Sequence, residues 1–199
     1  MAVDLRQTHF RFGKDDNTEI LHTFWELEDT NHSQLVDTDW TFLLRFCEQN
    51  ESVDTIASNT DAQFEYNKNG AGWVSVTTSS VVVKAVAVGA FANGDNCTQR
   101  LSGTGTFESS GAGCTEDGSS GGNANDIAIS GNSETECGLQ VVAAQVADGD
   151  TIQFRFSSVD WAVAYTITPT LTITKSPPGV STTRVVMSGD GVNWFICEQ

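Results

Sequence analysis

The sequence is poor in positive charge. Its 199 residues carry 10 Lys and Arg against 26 Asp and Glu, a formal charge of −16. Such a surface repels polyanions, which argues against a phosphate-tracking nucleic-acid binder and against docking on an anionic membrane. Long apolar runs are missing too, and none approaches the ~18 residues that span a bilayer. The opening Met-Ala-Val-Asp-Leu-Arg is not a basic-then-apolar leader, so synthesis and folding in a cytoplasm are expected. Prolines and histidines number only 3 each. Nothing matches H-E-x-x-H, G-x-S-x-G or a P-loop. No two cysteines have C-x-x-C spacing, the usual zinc signature. These absences lead to the expectation of no enzyme: no catalytic residue, no cofactor and no metal ligand set.

What is present is a two-residue rhythm. Trp40, Phe42, Leu44 and Phe46 fall on one side of their segment, with Arg45 on the other. Ile152, Phe154 and Phe156 alternate with polar residues, and so do Tyr165, Ile167, Leu171 and Ile173 with threonines. Alternate side chains on opposite faces are the mark of half-buried strands. Pro169 cannot donate to a ladder, so the 165–174 strand is expected at an edge or bulged. Asn69-Gly70 supplies the two left-handed positions of a tight hairpin, and Asp148-Gly149-Asp150 reads as another turn. Residues 17–28 and 80–91 are read as mainly strand. Roughly nine strands with short turns imply an all-β, antiparallel β-sandwich compatible with a jelly roll.

Residues 1–175 read as one domain. Within it, residues 102–136 hold 8 of the 18 glycines and no Lys or Arg, which reads as a long Gly/Ser-rich loop. Ser176-Pro177-Pro178-Gly179 then leads into a C-terminal hairpin extension, 176–199, too short to be stable alone.

The cysteines are Cys47, Cys97, Cys114, Cys137 and Cys197. Cys47 reads as a small core hydrophobe. Cys97, Cys114 and Cys137 flank or lie in the Gly-rich region, and a bridge between two of them would add about 3 kcal/mol. Cys97–Cys114 and Cys114–Cys137 are the two pairings considered. Trp40 and Trp73 read as core residues. Trp161 and Trp194, the latter followed by Phe195, lie next to turns and are the candidate interface residues. His9 is expected to point to solvent. The acidic pairs Asp15-Asp16, Glu26-x-Glu28-Asp29, Asp37-x-Asp39 and Asp148-x-Asp150 read as turn residues rather than calcium ligands.

Several segments resemble tailed-bacteriophage virion structural proteins. They are His9-Phe10-Arg11-Phe12-Gly13-Lys14-Asp15-Asp16, Asp29-Thr30-Asn31, Leu43-Leu44-Arg45-Phe46, Phe64 through Trp73, Gly103-Thr104-Gly105-Thr106-Phe107, and the ending Asp150 through Arg155 and Tyr165 through Ile173. The resemblance implies a virion structural role, made in the host cytoplasm. The favoured form is a capsid decoration (cement) protein that binds the outer capsid surface. Its partners would be the major capsid protein and copies of itself, with no nucleic acid and no membrane. The segment before Phe10, the 102–136 loop and the 181–199 hairpin would make the contacts. The alternative is a tail or fibre module that binds host-surface glycan.

Overall fold

A computed structural model describes residues 4–56, 63–109, 111–119, 126–158, 162–177, 184–187 and 194–197. The strands are β1 (Asp4–Gly13), β2 (His32–Leu35), β3 (Trp40–Asn50), β4 (Gln63–Lys68), β5 (Val74–Ser75), β6 (Val83–Ala85), β7 (Cys114–Thr115), β8 (Asn132–Val141), β9 (Thr151–Ser157), β10 (Ala162–Tyr165), β11 (Thr170–Thr174), β12 (Arg184–Met187) and β13 (Trp194–Cys197). The first sheet runs β10-β1-β3-β8-β6, with β7 also paired to β8. The second runs β2-β11-β9-β4-β5. The fold is an all-β sandwich, and the chain changes sheet at most connections. Antiparallel pairs form the body of both sheets, while β10 on β1, β2 on β11 and β7 on β8 are parallel.

The aromatic alternation builds the core between the sheets. Phe10 and Phe12 from β1, Phe42 and Phe46 from β3, Phe64 from β4, and Phe154 and Phe156 from β9 are almost wholly buried. Phe12, Phe42 and Phe154 meet with ring centroids 5.9–6.3 Å apart. Each such ring contributes about 1.5–3 kcal/mol by leaving water. The turns follow their residues. Asn69 and Gly70 both have positive φ, 52° and 74°, and Ala71 N–H bonds Lys68 O at 3.0 Å. This is the tight turn that Asn-Gly encodes.

Several expectations need correction. The 165–174 segment is two strands, because Pro169 sits where the chain crosses between sheets; β11 then lies inside its sheet, between β2 and β9. Residues 17–28 hold only one isolated bridge, Gly13 to Phe24, and otherwise turn back and forth over the first sheet. Of 80–91, only β6 is strand. The 102–136 stretch is not one loop: β7 interrupts it, and its last five residues begin β8, a central strand of the first sheet. Asn132-Ser133-Glu134-Thr135-Glu136 reads as polar loop only because its buried partners are themselves polar. The segment before Phe10, expected as a contact element, is from Asp4 onward part of β1, inside the first sheet. The C-terminal hairpin forms as β12–β13, with Arg184 opposite Cys197 and Met187 opposite Trp194.

Candidate functional site

Among the described residues, the outer face of the first sheet carries the main concentration of buried charge. Strand alternation sends Phe42, Leu44 and Phe46 into the sandwich and Arg45 out of it. Arg45 lies opposite Glu136 in the β3–β8 ladder, and Cys47 lies opposite Glu134. Arg45, Glu134, Glu136 and His22 are all fully buried. The water is excluded by two covering segments, residues 14–31 and 86–109.

Arg45 organises this centre. Its Nη1 donates to Glu134 Oε2 at 2.8 Å and to Thr98 O at 2.7 Å. Its Nη2 donates to Glu136 Oε2 at 2.6 Å and to a Glu19 oxygen. His22 Nε2 lies 3.1 Å from Glu136 Oε1. Glu134 also accepts from Arg100 N–H and Leu101 N–H at 2.7–3.0 Å. Arg100 in turn donates to Glu19 O and His22 O, both at 2.7 Å, and Arg100 and Arg11 both stack on Phe24. The two covering segments are therefore tied to each other and to the sheet by charged hydrogen bonds, which are stronger than neutral ones.

The titration behaviour follows from these contacts. Burial opposes the Arg45 charge, but Glu136 and Glu134 more than offset it, so its pKa is raised. Burial pushes Glu136 up, yet the Arg45 charge and His22 bring it down to about 2. For Glu134 burial wins over Arg45, and its pKa is raised. Glu48, on the inward face of β3, accepts from Thr135 Oγ1 at 2.6 Å; burial pushes it up to about 7. Arg45, Glu134, Glu136 and His22 are out of contact with water, so as placed this centre clamps chain segments rather than meeting a ligand.

Beside the clamp is a small apolar cluster of Leu43, Ala90, Phe91, Cys97 and Cys114. Here Cys97 Sγ and Cys114 Sγ lie 2.9 Å apart. Cys137 is elsewhere. Its β8 position faces inward, and it belongs to the main core with Leu139 and Val141. Cys114 lies opposite Glu136, on the outward side, so the sheet itself separates it from Cys137. The Cys114–Cys137 pairing is thus set aside in favour of Cys97 with Cys114. Cys47 is buried as expected, and burial pushes its thiol up to about 12.

The other expected residues divide. Trp161 lies outside the described residues, as do the side chains of Trp194 and Phe195 on β13. Trp40 is partly buried and stacks on Phe42 at 4.4 Å. Trp73 is not core: it follows the Asn69-Gly70 turn and takes the Arg155 guanidinium over its ring at 4.2 Å. His9 is not free in solvent; its Nδ1 lies 2.7 Å from Asp29 Oδ2 and 3.1 Å from Glu28 Oε1. Several of the acidic residues tie separate segments together rather than serving only their own turns. Asp15 accepts from Gly89 and Ala90 N–H, Asp39 from Ala143 N–H, and Asp148 from Lys175 N–H.

Two surface features were not legible in the sequence. Ile20, Leu21, Trp25 and Leu27 are all solvent-exposed within the 14–31 cover, and Leu27 is 75% exposed. A groove of about 430 Å³ opens at one edge of the sandwich, lined by Tyr66, Lys68, Asn69, Trp73, Val74 and Val82 among others. Tyr66 is only 5% exposed there. Among the described residues no helix is long and apolar enough to cross a membrane. The chain matches no family model, no curated protein and no solved structure.

Proposed function

We propose that this chain is a structural protein of a tailed-bacteriophage virion, acting as a decoration protein on the outer capsid surface. The observation that carries this reading is the exposure of four large apolar side chains, Ile20, Leu21, Trp25 and Leu27, on a cover that Arg45 and Arg100 pin to the sheet. Exposed apolar residues on a fixed surface are suited to a repeated protein–protein contact. The −16 charge keeps such a protein soluble at high copy number and away from packaged DNA. The major capsid protein and further copies of the chain are the partners this role requires, and many weak contacts would stabilise the shell by mass action.

Quantitative mass spectrometry on purified particles tests the proposal. A copy number near that of the major capsid protein, or a sizeable fraction of it, is expected. A handful of copies per particle would overturn the capsid assignment.

One observation favours a second reading, a tail or fibre module that binds glycan. The groove sets Tyr66, Lys68 and Asn69 beside Trp73, a mix of polar groups and aromatic surface suited to a sugar ring. A glycan array with Trp73→Ala as control separates the readings. Binding lost in the variant supports the second, and no binding at millimolar sugar removes it.

A further inference from the structure

The geometry points to Cys97 and Cys114 as a disulfide site that locks the cover over the Arg45 clamp. The two sulfurs lie 2.9 Å apart, and both residues are fully buried. Their backbones are already held together. Gly94 N–H bonds Cys114 O at 2.9 Å, and Cys114 N–H bonds Asp95 O at 3.0 Å. Cys97 precedes Thr98, whose carbonyl takes Arg45 Nη1 and whose N–H donates to Glu19 Oε1 at 3.0 Å. Cys114 sits on β7, paired to β8 beside Glu136. A bond between them therefore joins the covering segment to the sheet at the clamp itself. Glu19, Cys97 and Cys114 also lie close enough to share a metal ion. However, Glu19 is committed to Arg45, and a cation there would face the guanidinium. A neutral disulfide meets no such repulsion.

The chemistry balances with a low-molecular-weight disulfide as oxidant. One thiolate attacks it, releasing one thiol and leaving a mixed disulfide; the second cysteine displaces the other half. The pair loses two protons and two electrons, and the oxidant becomes two thiols. The hydrogen bond shared with Cys97, together with burial, pushes the Cys114 thiol well up, which disfavours the attacking thiolate while the cover is closed. The bond therefore forms as the chain folds or when the cover opens. A reducing cytoplasm keeps the thiols apart chemically, and an oxidising exterior closes them. The site does not depend on the virion reading.

The test is refolding in reduced or oxidised glutathione, alkylation under denaturing conditions, and tryptic mapping. No Lys or Arg occurs between Leu101 and Phe154, so Cys97 falls in peptide 85–100 and both Cys114 and Cys137 fall in peptide 101–155. Oxidised protein is expected to alkylate at three of its five cysteines and to show 85–100 joined to 101–155. Cys137→Ser should keep the link and Cys114→Ser should lose it. Oxidation should raise Tm by roughly 5–10 °C, an effect absent in Cys97→Ser. Five alkylated cysteines after oxidative refolding, a bond internal to 101–155, or a link that survives Cys114→Ser would each overturn the proposal. The wild-type mass measurement decides even if a variant fails to fold.

Discussion

Arg45 and Glu136 face each other across the β3–β8 ladder, and their side chains meet at 2.6 Å with no exposure to water. This pair turns the outer face of a sheet, ordinarily the wet side of a sandwich, into a second interior. Its contents are ionic where the first is aromatic.

Arg45→Met should cost about 3–5 kcal/mol, because it leaves Glu134 and Glu136 buried without their cation. Adding Glu134→Gln and Glu136→Gln to the same chain should recover part of that loss. Urea denaturation measures both. A single variant within about 1 kcal/mol of the parent would show that the clamp is energetically idle.

Glu136 sets an acid limit. Its folded pKa, about 2, lies below the ordinary 4.5, so the folded state favours the carboxylate. That contribution is fully present above about pH 4.5 and is lost as pH falls through 2. Glu136→Gln should flatten the acid side of a Tm-against-pH curve in this window.

Glu48 acts in the opposite sense. Its folded pKa is raised from 4.5 to about 7, so its contribution is present below about pH 4.5 and is lost as pH rises through 7. At pH 8 the fold holds a buried carboxylate. Glu48→Gln keeps the acceptor for Thr135 and should stabilise the protein there by about 2 kcal/mol, with little gain at pH 4. Chemical denaturation at the two pH values checks the difference. Equal shifts at both would rule out the titration as cause.

Gly138 lies opposite Leu43 on the outward face of β3–β8, under the second covering segment. A Cβ there would meet Val86 O at 2.6 Å and Val88 Cγ1 at 2.7 Å. Gly138→Ala should therefore destabilise by about 1–3 kcal/mol through overpacking. Hydrogen exchange should locate the loosening in residues 86–91 rather than in the aromatic core.

Leu21→Asp and Leu27→Asp alter exposed positions and should change stability by no more than about 0.5 kcal/mol. If residues 20–27 make the capsid contact, each should weaken co-sedimentation with capsids at least tenfold. Unchanged co-sedimentation with an intact fold would move the contact elsewhere.

The inward half of the fold was legible because it obeys one rule. Phe42, Leu44, Phe46, Phe154 and Phe156 alternate with other residues, and burial on one face of a strand leaves that period-two trace. Asn69-Gly70 was equally readable, since a left-handed pair of residues has few chemical solutions. The charged clamp was not readable. Glu134 and Glu136 lie roughly 90 residues from Arg45 and sit in a polar, Gly-flanked stretch that resembles loop, so nothing local marks them as buried. The Cys97–Cys114 approach was one of two open pairings for the same reason.

By itself, then, the sequence determined an acidic, all-β chain with an aromatic interior and its principal turns, because those follow from local periodicity and backbone preference. Only the tertiary structure decided which way Arg45 would be covered, which cysteines would meet, and that Pro169 would mark a crossing between sheets. Those outcomes depend on strand pairing between distant segments, and a buried charge is recognisable only once its partners have been brought to it.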